Sequence, residues 1–309
     1  MNKSNIALIL LIRRAQRYLD REHHIEICFE SFGPQDAPPL LLVMGLGAQM
    51  TVWSNGFISE LLERGFRVIR FDNRDVGLST KTAGDPPDVM ALYAQMMAGQ
   101  PVDAPYNLST MAADAVGLLE ALGISASHIV GASMGGMIVQ MMAIEHPEKV
   151  LSMTSIMSTT GAADVGQPEA SAIMALLTPP PTDRDGAIAA TVAMSKIIAG
   201  SLFDATEARA RAIETYDRCF HPQGSAFQIA AIAATGDRTE RLGALQMPTL
   251  VVHGREDSLV TLSGGEATAA AVPGADLIVY GQMGHDIPEL YWSPLADAIF
   301  GTAMRAEHG

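Results

Sequence analysis

A serine surrounded by glycines is the first place in this sequence where the residue types suggest chemistry. Ser133 stands in the run GASMGG, between Gly131 and Gly135, with Gly136 directly beyond. An apolar segment precedes the run and a helix-forming segment follows it. A sharp strand-to-helix turn needs neighbours without side chains, and it can present a serine hydroxyl as a nucleophile. An ordinary helix start with a capping serine is the competing interpretation.

A serine hydroxyl is a weak nucleophile at neutral pH, so it needs a base, and the base needs an orienting acid. Asp257 follows the apolar run LVVHG, and His285 follows the next apolar run, LIVYG. Both positions are at carboxyl ends of predicted strands, the same sheet edge as Ser133, in the order serine, acid, base. His253 and Glu256 are rivals, but His253 ends the strand itself and Glu256 lies one position off the loop.

Acyl transfer through a tetrahedral intermediate also needs donors for the oxyanion. The backbone N–H of Met134, directly after the serine, is the first expected donor. The second is expected in the loop VMGLGAQ, where Gly45 and Gly47 allow close approach of the backbone. The Leu46 N–H is therefore predicted to complete an oxyanion hole, although a plain glycine-rich turn would have the same sequence.

Apolar side chains are expected to line the substrate pocket. Trp53 and Phe57 lie shortly after the glycine-rich loop, and Met194 lies in a later helical segment. Methionine fills irregular apolar space, which suits an adaptable pocket. Ordinary core packing is the competing interpretation for the methionine.

The elements that must position these side chains alternate between strands and helices. The predicted strands are PLLLV, FRVIRFD, SHIVGAS, VLSMTSIMS, PTLVVHG and ADLIVYG. Helical patterns join successive strands, which predicts an α/β fold with a mostly parallel central sheet covered by helices on both faces. Between residues 161 and 242 helical patterns follow one another without a strand. This segment predicts a helical cap over the carboxyl edge of the sheet, where ligands of open α/β sheets bind.

The predicted organisation has four parts. Residues 1–24 form a helical extension, 25–160 the first part of the core, 161–242 the cap and 243–309 the second part of the core. In the extension, the apolar run 6–12 is short, is followed by Arg13 and Arg14 and has no small-residue cleavage site. It therefore fits an amphipathic helix better than a signal peptide.

Composition excludes several classes of function. The 309 residues carry a net charge of −14, which argues against nucleic acid as a partner. No apolar run reaches the ~18 residues that span a bilayer, so no stable membrane insertion is expected. Cys28 and Cys219 are far apart without metal-ligand spacing, which predicts a cytoplasmic setting and neither a disulfide framework nor a metal site. No organic cofactor is implied, and a homodimer is left open.

Taken together, the sequence resembles the α/β-hydrolase superfamily from about residue 25 to residue 303. The segments that carry the resemblance are MGLG, RFDNRDVGLS, GASMGG, GREDSLV and GQMGHD. More narrowly, it is similar to small esterases related to aclacinomycin methylesterase. The resemblance implies the same nucleophile, acid and base that the residues predict. Asp75 stands where the commoner loop has glycine, and aspartate tolerates positive φ better than most residues.

The expected activity is hydrolysis of carboxylic esters with small to medium apolar acyl groups, through an acyl-enzyme on Ser133. The expected partner is a small-molecule ester. Perhydrolysis of the non-haem haloperoxidase type, lactone opening and C–C bond hydrolysis use the same residues and remain alternatives. A receptor that binds a small ligand without turnover is an alternative of a different class. The serine argues against those reactions of this fold that attack with a carboxylate.

Overall fold

The computed structural model describes residues 16–20, 25–179 and 181–308. This part of the chain contains eight strands and eleven α-helices. The strands are β1 (Gln16–Asp20), β2 (Ile25–Phe32), β3 (Pro39–Val43), β4 (Arg67–Phe71), β5 (Ser127–Ala132), β6 (Val150–Ile156), β7 (Thr249–Gly254) and β8 (Asp276–Tyr280). The helices are α1 (Asn55–Glu63), α2 (Val89–Met97), α3 (Leu108–Ala121), α4 (Met134–Glu145), α5 (Ala170–Leu177), α6 (Arg184–Ile198), α7 (Ala205–Arg218), α8 (Gln223–Thr235), α9 (Thr239–Leu242), α10 (Leu262–Ala271) and α11 (Trp292–His308).

The strands form one sheet in the order β1-β2-β4-β3-β5-β6-β7-β8. The pairs β1–β2 and β2–β4 are antiparallel, and every pair from β4 to β8 is parallel. From β3 the chain crosses to β4, and from β5 it crosses the opposite way to β6. The loops after β3 and β5 therefore diverge and leave a crevice at the carboxyl edge, where ligands of open α/β sheets bind. The predicted α/β class with a mostly parallel sheet is confirmed.

Both faces of the sheet are covered over strands β3 to β7, which explains why these strands are rich in apolar residues. Side chains alternate along a strand, so Leu40 and Leu42 of β3 point to one face and Leu41 and Val43 to the other. The first pair packs with α1 and α11, and the second pair packs with α3 and α4. The buried sheet is thus a rigid platform for the loops at its edge.

The N-terminal segment departs from the prediction of a helix. Residues Gln16–Asp20 form strand β1, which pairs antiparallel with β2 from Gln16 opposite Phe29 to Asp20 opposite Ile25. The prediction of a helix is wrong for this segment, because the edge of β2 offers backbone partners that a local sequence pattern does not reveal. The other residues of the predicted extension lie outside the described residues.

Between β6 and β7 the described residues form five helices, α5 to α9, and no strand. We call residues 170–242 the helical insertion.

In the described part of the chain, no helix is both long and apolar enough to cross a membrane. Neither Cys28 nor Cys219 forms a disulfide.

Candidate active site

Ser133 lies at the turn from β5 into α4 with φ 58° and ψ −122°. A residue with a side chain adopts this region only under strain of about 1–3 kcal/mol. The surrounding structure holds it there, because the Ser133 N–H donates to the Ile156 carbonyl at 2.9 Å and the Ser133 carbonyl accepts from the Met137 N–H. The strained turn presents the hydroxyl at the carboxyl edge of the sheet.

The glycines around Ser133 are required by close backbone contacts. A Cβ added to Gly131 would lie 2.1 Å from the Gly135 carbonyl oxygen, and one added to Gly135 would lie 2.1 Å from the Val43 oxygen. At Gly136 a Cβ would lie 2.5 Å from the Ser158 Cβ. Any side chain at these positions would push α4 away from the sheet and move the serine.

Asp257 and His285 meet Ser133 at this edge. His285 Nε2 lies 2.8 Å from Ser133 Oγ, and His285 Nδ1 lies 2.8 Å from Asp257 Oδ2. The other carboxylate oxygen of Asp257 accepts from the backbone N–H groups of Leu259 and Val260. A buried carboxylate with these donors is an acceptor, so Nδ1 carries the proton and Nε2 accepts from the serine hydroxyl. This chain of groups can move a proton from Ser133 to His285.

The two rival residues, His253 and Glu256, form hydrogen bonds with backbone groups of other residues. His253 is fully buried, and its Nε2–H donates to the Val260 carbonyl at 2.7 Å. Burial lowers the pKa of His253, so its imidazole is neutral. The Glu256 carboxylate accepts from the backbone N–H of Ser201, in the loop after α6. In the part of the chain that the structure describes, neither rival is hydrogen-bonded to the serine.

The loop after β3 runs beside the serine. A Cβ on Gly45 would lie 2.9 Å from the Ser133 Cβ, so only glycine allows this approach. Among the described residues, the N–H groups of Leu46 and Met134 have no hydrogen-bond acceptor. Two free amides beside a serine hydroxyl can receive negative charge that develops on a substrate oxygen.

The model of one protein family, described as the alpha/beta hydrolase fold, matches residues 38–290. The chain belongs to the α/β-hydrolase family. This assignment agrees with the parallel sheet and with the serine on its strand-to-helix turn.

Relatives of this hydrolase include enzymes of several hydrolytic activities. Rhodomycin D methylesterase DnrP of Streptomyces peucetius is 27% identical, over 86% of this chain and 90% of that protein. The putative carbamate hydrolase RutD of Variovorax paradoxus is 28% identical, over 84% of this chain and 90% of that protein. The fold is shared with a solved thermophilic esterase of Thermogutta terrifontis, with a TM-score of 0.71, 23% identity and coverage of 94% and 99% of the two chains. The predicted resemblance to methylesterases of this fold is confirmed.

A cavity of about 850 Å³ opens onto Ser133 and His285 of the hydrolase. Trp53, Phe57 and Met194 all line it, and the Trp53 and Phe57 rings stack with centroids 5.8 Å apart. The helical insertion supplies much of the remaining apolar wall, including Ala187, Ile188, Ile198, Ala212 and Ile229. The cavity therefore lies between the sheet edge and the insertion.

The polar residues that join the helical insertion to the core were not predicted from the sequence. Arg218 of α7 forms an ion pair of 2.7 Å with Asp72, whose side chain is fully buried after β4. The Gln49 amide donates to the Thr215 and Cys219 carbonyls at 2.8 Å each. These bonds tie the insertion to the core. No local pattern could have indicated them, because Arg218 and Asp72 are 146 residues apart.

Asp286 is a second carboxylate at the cavity wall, directly after the histidine. It accepts from the Gly284 N–H at 3.1 Å. Burial raises the pKa of Asp286 above the ordinary carboxyl value. Asp75 adopts a φ of 71° within its loop, which is the positive φ that aspartate tolerates better than most residues.

Proposed function

We propose that this hydrolase cleaves carboxylic esters through an acyl-enzyme on Ser133. His285 acts as the base and Asp257 as the acid that orients it. The observation that carries the proposal is the unbroken hydrogen-bond chain from Asp257 through His285 to the strained serine, beside two free backbone amides. The methylesterase relative supports an ester as the substrate.

The reaction follows from the positions of the groups. Ser133 Oγ attacks the ester carbonyl carbon while His285 Nε2 takes the hydroxyl proton. The resulting oxyanion accepts hydrogen bonds from the Leu46 and Met134 amides, and the Asp257 carboxylate stabilises the imidazolium. The C–O bond to the alcohol then breaks, and His285 gives its proton to the leaving oxygen. Water, deprotonated by His285, then attacks the acyl carbon. The bond from that carbon to Ser133 Oγ breaks, His285 returns the proton to Oγ, and the acid is released.

We assign the helical segment 161–242 as a cap on a core made of residues 25–160 and 243–309. Its helices supply apolar walls to the cavity, and the cavity contains the serine. A cavity of about 850 Å³ is within the range of small-molecule sites, roughly 300–1,000 Å³. Trp53, Phe57 and Met194 as pocket residues favour small to medium apolar esters. A small-molecule ester is thus the proposed partner. The proposed reaction needs no group beyond the side chains, the two backbone amides and water. The cytoplasmic setting stays a prediction.

The test compares wild type with Ser133→Ala on p-nitrophenyl butyrate. We expect kcat to fall by about 10³-fold or more, because no other group supplies the attacking oxygen. Ser195→Ala is the matched control, because Ser195 also lines the cavity but its hydroxyl donates to the Thr191 carbonyl within α6. Retention of more than a tenth of the wild-type kcat by Ser133→Ala would contradict the assignment.

The same groups would open a lactone, which is an internal ester, or act on a carbamate, as the relative RutD is named to do. A panel of an acyclic ester, a lactone and a carbamate of matched size separates these classes by kcat/KM. The proposal expects the acyclic ester to rank first. Stoichiometric binding without turnover of any of them would favour the non-catalytic receptor.

A further inference from the structure

Gln228 of α8 uses both ends of its side-chain amide to join two loops of the core. Its Oε1 accepts from the Gly47 N–H at 2.8 Å, and its Nε2 donates to the Arg74 carbonyl at 2.8 Å. The side chain has no exposed surface. A fully buried amide with both functions satisfied fixes the distance between its partners more strictly than an apolar contact does.

The Gly47 N–H belongs to the peptide that directly follows Leu46. Gly47 adopts a φ of 65°, which glycine tolerates and which gives the loop no restraint from a side chain of its own. A Cβ at this position would lie 2.6 Å from Ser225 Oγ, so α8 packs directly on the loop. The Gln228 oxygen is thus the group that restrains this peptide.

The backbone on the other side of Leu46 is restrained as well. The Leu46 N–H belongs to the peptide that joins Gly45 to Leu46. The Asn73 amide donates to the Met44 carbonyl at 2.8 Å, and the Gly45 carbonyl accepts from the Ala48 N–H at 3.2 Å. In a trans peptide the C=O and the following N–H point in opposite directions. The Leu46 N–H therefore points away from the Ala48 amide, and its direction depends on both flanking restraints.

We propose that Gln228 is a positioning residue that aims the Leu46 N–H at the oxyanion. The inference rests on the proposed function of the serine and adds a role for the helical insertion. Gln228 lies in that insertion, whereas its two bond partners lie in loops of the core. The insertion therefore helps to form the oxyanion hole as well as the wall of the cavity. A change of about 1 Å in the position of a catalytic group is enough to lower a rate by about 10²-fold.

The experiment uses Gln228→Met, which keeps the length of the side chain and removes both hydrogen bonds. We expect kcat to fall tenfold or more while KM changes less than threefold, because the donor acts mainly in the transition state. A trifluoromethyl ketone with a butyl chain provides the second readout. Ser133 Oγ adds to its carbonyl carbon and His285 takes the proton, so the adduct places an oxyanion in the hole. Its Ki should rise by the factor lost in kcat/KM, whereas the Ki of butan-1-ol, which has no anionic oxygen, should stay constant.

Gln140→Met is the matched control. Gln140 is also fully buried, but its side chain contacts Arg238 and Ser155 and does not reach the loop after β3. It should lower the melting temperature and leave kcat and the ketone Ki unchanged within twofold. Gln228→Glu is the second variant, because a carboxyl oxygen can still accept from the Gly47 N–H. The kcat of Gln228→Glu should fall less than the kcat of Gln228→Met. The glutamate variant remains informative if the methionine variant fails to fold.

The results separate this inference from the proposed function. Wild-type turnover that disappears in Ser133→Ala supports the serine mechanism whatever the Gln228 variants do. The positioning role is overturned if Gln228→Met keeps kcat within twofold of wild type. It is also overturned if the binding of the ketone and of butan-1-ol weakens equally, or if Gln228→Glu is as impaired as Gln228→Met.

Discussion

At the scale of single residues, the backbone of Ser133 links stability to function. Its φ of 58° and ψ of −122° are the mirror image of an ordinary extended conformation. Glycine adopts that mirror image without strain, whereas a residue with a Cβ does not. The chain therefore keeps a strained residue at the position where the proposed reaction needs a hydroxyl.

This strain predicts a difference in stability between two variants that lack the Ser133 hydroxyl. Ser133→Gly should have a free energy of unfolding about 1 kcal/mol or more above that of Ser133→Ala, because only glycine relieves the strain. Urea denaturation monitored by circular dichroism measures the difference. Equal stabilities, or a more stable alanine variant, would contradict the assigned strain.

The site residues predicted from the sequence closely follow strands, whereas the residue that was missed depends on partners far away in the sequence. Ser133, Asp257 and His285 each follow a predicted strand closely, so a single sheet topology brought them to one edge, and the geometry agrees with that expectation. Gln228 has partners 181 and 154 residues away. Such a pair depends on how the insertion folds back over the sheet, which no local pattern encodes.

At the scale of elements, the helical insertion is bonded to loops from both halves of the core. The Ile198 carbonyl at the end of α6 accepts from the His285 N–H at 2.7 Å, and the Ser201 N–H donates to Glu256. On the other side, Arg218 at the end of α7 pairs with buried Asp72. The insertion is therefore anchored next to the loop that carries His285 and next to the loop after β4.

The ion pair under α7 gives a prediction about stability. Arg218→Met should lower the free energy of unfolding by about 3–5 kcal/mol, because it leaves the fully buried Asp72 carboxylate without its cation. Arg184→Met is the control, since the pair that Arg184 forms with Asp217 is exposed and should leave the melting temperature nearly unchanged. Differential scanning calorimetry compares the two. A smaller shift for Arg218→Met than for Arg184→Met would contradict the account.

The elements themselves were predictable to different degrees. Strands β3 to β7 are largely buried, β8 is an apolar run at the more exposed edge of the sheet, and these sequences alone indicated a parallel sheet. Strand β1 carries the sequence QRYLD, whose side chains follow no clear apolar alternation. Its structure depends on the open edge of β2, so tertiary pairing and not local propensity decided it.

At the scale of the whole molecule, buried titratable groups couple stability to pH. Burial lowers the pKa of His253 below the ordinary histidine value of about 6.5. Between the native pKa and about 6.5, the unfolded chain binds a proton that the native chain does not. His253 therefore destabilises the native state as the pH falls below about 6.5. Asp286, whose pKa burial raises, acts in the opposite direction.

His253→Gln isolates the histidine contribution. The glutamine amide can still donate to the Val260 carbonyl, but it does not titrate. We expect the melting temperature of wild type to fall more steeply than that of the variant between pH 7 and pH 5. Parallel curves for the two proteins in thermal melts across this range would show that His253 is not the responsible group.

The central claim is that an ester is cleaved through an acyl group on Ser133, and rapid-quench mass spectrometry tests it most directly. Wild-type protein is mixed with p-nitrophenyl butyrate, quenched in acid within the first turnover and digested. We predict that the peptide containing Ser133 gains the mass of one butyryl group, and that the modification is absent in Ser133→Ala. Turnover with no butyryl group on that peptide, or with the group on another residue, would contradict the account.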